Sequence, residues 1–123
     1  MPKIDNSNCS SFDMHGVTFT GIAAPTRGSS ESAVWRARIV PGEGVLHHMT
    51  REEIIVALAG EGQVRMGDEV FPLQPGDAFA VPAFTDFRLE ASGGAPFEAM
   101  VVLPAGGRAV IGGQPSFQPP WSI

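Results

Sequence analysis

The sequence predicts an all-β domain, a small antiparallel sandwich or barrel. About ten short runs of β-branched and aromatic residues recur along the chain, and none has helical periodicity. Turn-forming clusters, including Gly-Glu-Gly, Gly-Asp and Gln-Pro-Gly-Asp, separate these runs. The 15 glycines and 11 prolines among 123 residues exceed average usage and suit a turn-rich fold.

The length is that of one domain with a single hydrophobic core. We therefore expect one domain over residues 1–123, with a core at about 17–111. Residues 1–14 are polar and aperiodic, which predicts an N-terminal arm. Residues 112–123 form a proline-rich tail, in which Phe117 and Trp121 are expected to hold the chain to a surface.

The first strands are predicted from alternation of polarity. Residues 17–22 read VTFTGI, and residues 34–40 read VWRARIV. Side chains alternate between the two faces of a strand, so Trp35 is expected in an interior or interface. Arg36 and Arg38 then lie on the opposite face, which is expected to be solvated; a pocket that binds an anion is the alternative.

A pair of histidines precedes the next predicted strand. Residues two apart share one face, so His47 and Met49 are expected to point into the barrel while His48 points out. Glu53 begins the run EIIVALAG, in which both faces are otherwise apolar. Such a strand is buried on two sides. The small residues Ala57 and Ala59, on the face of Glu53, leave room for a cavity.

Downstream segments continue the meander. Gly67-Asp68 predicts a two-residue hairpin loop, with glycine where a type II′ turn requires it. Short strands are expected at residues 85–90, 97–103 and 108–111, separated by glycine-rich turns. No phosphate-binding glycine loop, Cys-x-x-Cys motif or nucleophile-elbow serine occurs in the sequence.

Charge and composition exclude several functional classes. The net charge is −5 and the eight basic residues are scattered, so no nucleic-acid surface is expected. No apolar run reaches membrane-spanning length and no apolar leader precedes the domain, which predicts a cytoplasmic protein without a membrane partner. Cys9 is the only cysteine, so no intrachain disulfide is possible.

The spacing from residue 34 to residue 103 resembles the cupin family of small jelly-roll barrels. In the first cupin motif six residues separate a glutamate from a glycine, as they separate Glu53 from Gly60, and the two histidine positions of the motif fall on His47 and Met49. The second motif begins Gly-Asp and reaches a proline, as Gly76-Asp77 and Pro82 do. Its histidine position falls on Phe87.

The resemblance implies a cupin-type jelly roll of two antiparallel sheets with an incomplete metal-ligand set. Cupins commonly hold a metal with four residues, and this chain matches them only at His47 and Glu53. His47, Met49 and Glu53 mix borderline, soft and hard donors, a poor set for zinc, iron or manganese. We therefore expect no cofactor, and a divalent metal at His47 and Glu53 is the alternative.

Three functions are compatible with this pattern. The first is a metal-independent cavity that binds a small organic molecule, with His47 and Glu53 as a catalytic acid/base pair for isomerisation, cyclisation or elimination. A purely structural His47–Glu53 or Arg51–Glu53 pair explains the same residues equally well. The others are a metal-dependent dioxygenase or isomerase with a reduced ligand set, and a non-catalytic sensor. The residues expected to contact the ligand are Trp35, His47, Met49, Arg51, Glu53, Phe79 and Phe87.

A homodimer is also predicted. The Ile54, Val56 and Leu58 face is apolar although it lies opposite the barrel side, so another surface must cover it. Cupins commonly pair sheet to sheet or exchange terminal strands, and the resemblance implies the same here. Trp121 is expected to contribute to this interface, because large aromatic residues concentrate binding energy.

Overall fold

The structure, a computed structural model, describes residues 3–123 and confirms an all-β fold. Two short 3-10 turns, at Pro25–Arg27 and Pro120–Ser122, are the only helical elements in this range. No helix within it has the length and apolar character needed to cross a membrane. The strands are β1 Ser11–Met14, β2 Val17–Ala23, β3 Ser32–Ile39, β4 His47–Met49, β5 Glu53–Ala59, β6 Gly62–Met66, β7 Glu69–Leu73, β8 Ala78–Val81, β9 Arg88–Ala91, β10 Phe97–Pro104 and β11 Ala109–Ile111.

The strands form two facing antiparallel sheets, as predicted for a jelly roll. One sheet has six strands in the order β1-β2-β3-β10-β5-β8. The other side is built from the ribbon β7-β6-β9 and the pair β11-β4. These two pieces are joined by a bridge in which His47 N donates to Phe87 O at 3.1 Å and Phe87 N donates to His47 O at 2.9 Å.

Strict alternation places the core between the sheets. Every second residue of β10, from Phe97 to Leu103, is buried, and the intervening residues are partly exposed. Strand β3 buries Trp35 in the same way and leaves Arg36 and Arg38 exposed, as predicted. The inner face of β5 carries Glu53 and Ile55. A buried carboxyl group therefore lies on the wall of an otherwise apolar interior.

Both ends of the chain pack more closely than the sequence analysis expected. The segment 11–14, assigned to the N-terminal arm, is strand β1 and pairs with β2; residues 1 and 2 of that arm lie outside the described range. The tail was expected on a surface or at a subunit interface. Instead, Phe117 bridges to Ala109 and Trp121, only 5% exposed, packs inside its own barrel. The tail thus forms part of the barrel wall.

Two glycines in the turns between β5, β6 and β7 both have positive φ angles but differ in the space around them. Gly67 lies in the predicted two-residue hairpin loop between Met66 and Glu69, and its φ of +58° is compatible with a type II′ turn. Gly60 also has a positive φ, +79°, but a Cβ built there would lie 2.3 Å from the Pro96 carbonyl oxygen. At Gly67 a Cβ would meet nothing within 4 Å.

Gly60→Ala is therefore expected to destabilise the protein more than Gly67→Ala. Both substitutions strain the backbone, by roughly 1 kcal/mol. Only Gly60→Ala also forces a backbone clash, which should bring its total to about 3 kcal/mol. Urea unfolding of the two variants measures the difference. Equal losses of unfolding free energy in the two variants would contradict this, because they would show that the backbone around Gly60 and Pro96 can accommodate a methyl group without loss of stability.

Candidate functional site

The interior of the barrel contains a cavity of about 320 Å³ between the two sheets. Strands β2, β3, β5 and β10 supply one wall, and β4, β9 and β11 supply the opposite wall. The loop between β3 and β4 and the C-terminal segment complete it. The residues that line the cavity are Met14, His15, Val17, Phe19, Trp35, Ala37, Ile39, Val40, Pro41, Gly42, Glu43, Gly44, Val45, His47, Met49, Glu53, Phe87, Leu89, Val101, Ala109, Ile111, Phe117, Pro119 and Trp121.

Aromatic rings make up much of this wall. The Trp121 ring stacks on the Phe19 ring, with centroids 3.8 Å apart and planes 1° from parallel. The Trp35 ring meets Trp121 edge-on at 6.3 Å. On the other side, the Phe87 ring lies 4.4 Å from the His47 imidazole. The lining of the cavity is therefore largely aromatic and apolar.

Strand β4 directs its two histidines to opposite sides, as predicted. His47 and Met49 line the cavity, and Met49 is buried. His48 lies outside it, with Nδ1 3.0 Å from Asp86 Oδ1. A shift of the strand register by one residue would therefore exchange the imidazole that faces the cavity.

The tautomer of His47 follows from its backbone contact. Its Nδ1 lies 2.8 Å from the Val45 carbonyl oxygen, which can only accept, so Nδ1 carries the hydrogen. The Nε2 atom of the neutral ring is then left with its lone pair. Burial lowers the pKa of His47 from its usual 6.5, and the Val45 contact opposes this shift only in part. His47 is therefore an uncharged potential base at neutral pH.

Glu53 is buried without a partner. Its side chain is 5% exposed, and no hydrogen bond or ion pair to its carboxyl group occurs among residues 3–123. The expected pairing with His47 or Arg51 is not formed. Burial alone raises the pKa of Glu53 from 4.5 to about 8. The carboxyl group is thus protonated at pH 7 and can donate a proton.

Both groups remain accessible from the cavity. Within residues 3–123, Trp121 Nε1 is the one side-chain nitrogen or oxygen that is sealed from solvent and lacks a hydrogen-bond partner. His47 Nε2 and the Glu53 carboxyl oxygens also lack hydrogen-bond partners. Since they do not belong to the sealed class, they must have contact with the cavity. The cavity therefore presents a potential acid and a potential base to whatever occupies it.

Comparison with known proteins identifies the family of this chain. A family model described as a cupin domain matches residues 35–103, more than half of the chain. The chain belongs to the cupin family. The sequence matches none of the curated proteins with which it was compared.

Solved cupin structures share this fold at low identity. The polyketide cyclase RemF from Streptomyces resistomycificus is 16% identical, with a TM-score of 0.76 over 98% of this chain and 88% of that one. A cupin-superfamily sugar phosphate isomerase from Silicibacter pomeroyi is 20% identical, with a TM-score of 0.73 over 92% and 83%. Salicylate 1,2-dioxygenase from Pseudoaminobacter salicylatoxidans is 24% identical, with a TM-score of 0.68 over 80% of this chain; this chain spans only 30% of that enzyme.

The residues of this cupin do not fit the metal site that its family implies. No three histidine, cysteine, aspartate or glutamate side chains come together within residues 3–123. His47 and Glu53 share the cavity with the thioether of Met49 and the phenyl ring of Phe87. Only two of these four side chains are good ligands for zinc, iron or manganese.

Two residues expected to contact the ligand do not line the cavity. Arg51 is exposed, because β4 ends at Met49 and the chain bends over the next two residues, which interrupts the alternation. Phe79 packs from β8 against Phe71 of β7, with ring centroids 5.0 Å apart. The structure gathers the other predicted residues, Trp35, His47, Met49, Glu53 and Phe87, around the cavity.

The sequence analysis missed the residues that hold the loop at residues 41–45. Glu90 accepts hydrogen bonds from Arg65 Nε at 2.9 Å, from Arg65 Nη2 at 2.8 Å and from Gly44 N at 2.6 Å. The hydrogen bonds from Arg65 are the main cause that lowers the pKa of Glu90 to about 2. Glu43 lies 3.7 Å from Arg65 and 3.5 Å from Arg88. This cluster fixes the loop at residues 41–45, which lines the cavity.

Proposed function

We propose that this cupin binds a small organic molecule in its cavity and catalyses proton transfer on it without a metal. The observation that carries the proposal is Glu53, a buried and unpartnered carboxyl group on the same cavity as His47. A carboxyl group in this environment destabilises the fold at neutral pH, and such arrangements cluster at functional sites. The mixed donor set around His47 supports the metal-independent form.

The two groups have complementary roles in this proposal. His47 Nε2 removes a proton from carbon or oxygen of the ligand, while protonated Glu53 donates a hydrogen bond or a proton to a ligand oxygen. The imidazolium and carboxylate that result attract each other in the apolar cavity. One proton then passes from the imidazolium to the carboxylate, through the ligand in an isomerisation or through water in a cyclisation or elimination, and restores both groups. Isomerisation, cyclisation and elimination all fit this cycle, because each moves a proton without an external oxidant.

Cyclisation is the reaction type that we favour among these. The polyketide cyclase RemF matches almost the whole of this chain, and the match also covers most of RemF. At 16% identity this likeness supports the choice through shared architecture alone. The aromatic walls formed by Phe19, Trp35 and Trp121 suit a ring-containing product.

The experiment is an exchange assay that requires no knowledge of the natural substrate. A panel of aryl ketones is incubated with protein in D₂O, and NMR follows deuterium incorporation next to the carbonyl carbon. We expect His47→Gln and Glu53→Gln each to lower the exchange rate by roughly 100-fold. His48→Gln, a change in the adjacent outward residue, should leave it within about 2-fold.

The pH profile gives a second readout of the same assay. Exchange should fall above pH 8, as Glu53 loses the proton that it must donate. It should also fall at low pH as His47 becomes protonated, at a pKa below its ordinary value. Equal exchange in all three variants would contradict the proposed roles. Ligand binding without exchange would favour a non-catalytic sensor.

We also propose that two copies of the chain pair through the outer face of the six-stranded sheet. Ile54 and Leu58 on β5 are 37% and 39% exposed there. Across the adjacent strand pair, Ile54 faces Val102 and Val56 faces Met100, so the apolar surface is continuous. An exposed apolar sheet face of this kind is expected to pack against another surface.

A cytoplasmic location likewise stays a prediction from the sequence.

Ile54→Glu is expected to convert a dimer into a monomer, because the carboxylate would be buried without a partner in the two-fold interface. Val70→Glu is the matched control, since Val70 is also apolar and 48% exposed but lies on the other side of the barrel. Sedimentation velocity at micromolar concentration measures the mass of each. A monomeric wild-type protein would contradict the dimer.

A further inference from the structure

None of the cationic side chains of this protein lines its cavity. The chain has eight lysine and arginine residues, and all of them lie within the described range. Arg36 and Arg38 occupy the exposed face of β3. The rest are Lys3 near the N-terminus, Arg27, which bonds to Trp121 O, Arg51 in an exposed bend, Arg65 and Arg88 in the Glu90 cluster, and Arg108, which bonds to Ser116.

The ionisable groups that do line the cavity leave its interior uncharged. His15 and Glu43 are exposed, and Glu43 is already near two arginines. Farther inside lie His47 and Glu53. Burial lowers the pKa of His47 and raises that of Glu53, so both are neutral at pH 7. An anion bound between the two sheets would therefore meet no opposing charge.

We propose that the ligand is an uncharged molecule of one or two rings that carries a carbonyl or hydroxyl oxygen. This inference rests on the proposed function, because it describes the occupant of the same cavity. The volume of about 320 Å³ matches the lower end of ligand pockets. Burial of a charged group without a partner is unfavourable, so this interior selects against anions.

Two donors belong to the cavity wall, of which Glu53 is accessible to a ligand oxygen and Trp121 Nε1 is sealed. Protonated Glu53 can donate to that oxygen from β5. Trp121 forms part of the same wall, and its Nε1–H is buried without a partner. A buried donor of this kind is rare in folded proteins and calls for an acceptor.

The test compares three probes of nearly equal shape: acetophenone, benzoate and 1-phenylethylammonium. Both tryptophans of the chain line the cavity, so their two indole N–H signals in NMR spectra report on its occupancy. We expect acetophenone to shift these signals at pH 7 with a dissociation constant at least about 10-fold lower than that of either ion. Equal or tighter binding of benzoate or of the ammonium would overturn the ligand class.

Matched arginine substitutions on β11 sharpen the test. Ile111 lines the cavity, whereas its neighbour Val110 does not. Ile111→Arg should supply the missing cation and reverse the preference towards benzoate, while Val110→Arg should not. If Ile111→Arg fails to fold, the affinities of the wild-type protein for the three probes still test the proposed ligand class. Absence of any indole shift with all three probes at millimolar concentration would instead overturn the proposed binding function itself.

Discussion

Glu53→Gln is expected to make the protein more stable than wild type at pH 8, by several kcal/mol. Burial raises the pKa of Glu53 from 4.5 to about 8 in the folded state. Between these values the folded state keeps a proton that the unfolded state has released. The stability contributed by this group is therefore complete below pH 4.5 and is lost as pH rises, by about 1.4 kcal/mol for each pH unit. Glutamine cannot ionise and escapes this loss.

Urea unfolding from pH 5 to pH 8 measures this effect as the difference between wild type and Glu53→Gln. His47 acts in the opposite direction, because its lowered pKa makes the folded state bind fewer protons below pH 6.5. This contribution is common to both proteins and cancels in the difference. Glu52→Gln is the control, since Glu52 is adjacent and exposed. If the difference in unfolding free energy between Glu53→Gln and wild type does not depend on pH, Glu53 has an ordinary pKa or a partner.

A stabilising Glu53→Gln substitution would also bear on function. Removal of a group that only satisfies buried polarity should leave its former partner unpaired and lower stability. Here no such partner exists among the described residues, so the carboxyl group costs stability at neutral pH. This cost would support the proposed role of the carboxyl group in proton transfer.

The fold and the side-chain positions that the sequence predicted correctly depend on local alternation. A period of two residues decides that Trp35 points inward and Arg36 outward, and that His47 rather than His48 reaches the cavity. The same rule places Glu53 on the inner face of β5. Each inference requires only that the segment is a strand and that one residue on it is buried. Both can be recognised in a short stretch of sequence.

The parts that were missed depend on contacts between distant residues. Gly44 and Glu90 are 46 positions apart, and no local pattern indicates that one caps the other. Trp121 stacks on Phe19 from the opposite end of the chain. The density of aromatic and proline residues in the tail was the available signal, but it does not say which surface they meet. Arg51 was misplaced because a bend ends the alternation after Met49.

The double substitution Met49→His with Phe87→His is expected to create a four-ligand zinc site in the cavity. Both residues line the same cavity as His47 and Glu53, and the Phe87 ring already lies 4.4 Å from the His47 imidazole. Three imidazoles and a carboxylate form a donor set that suits four-coordinate zinc. The affinity for zinc should rise by at least about 100-fold over that of wild type, because two apolar positions become ligands.

Calorimetry with zinc chloride measures the stoichiometry and affinity, and thermal unfolding with and without zinc gives an independent readout. The metal-free variant should be less stable than wild type, because Phe87 is fully buried and a smaller, polar ring replaces it. Zinc at about 100 times its dissociation constant should restore roughly 2.7 kcal/mol. Glu53→Gln in the double-variant background is the control, and it should weaken binding. Zinc binding by wild type as tight as by the double variant would contradict the assignment of Met49 and Phe87 as the positions that prevent a metal site.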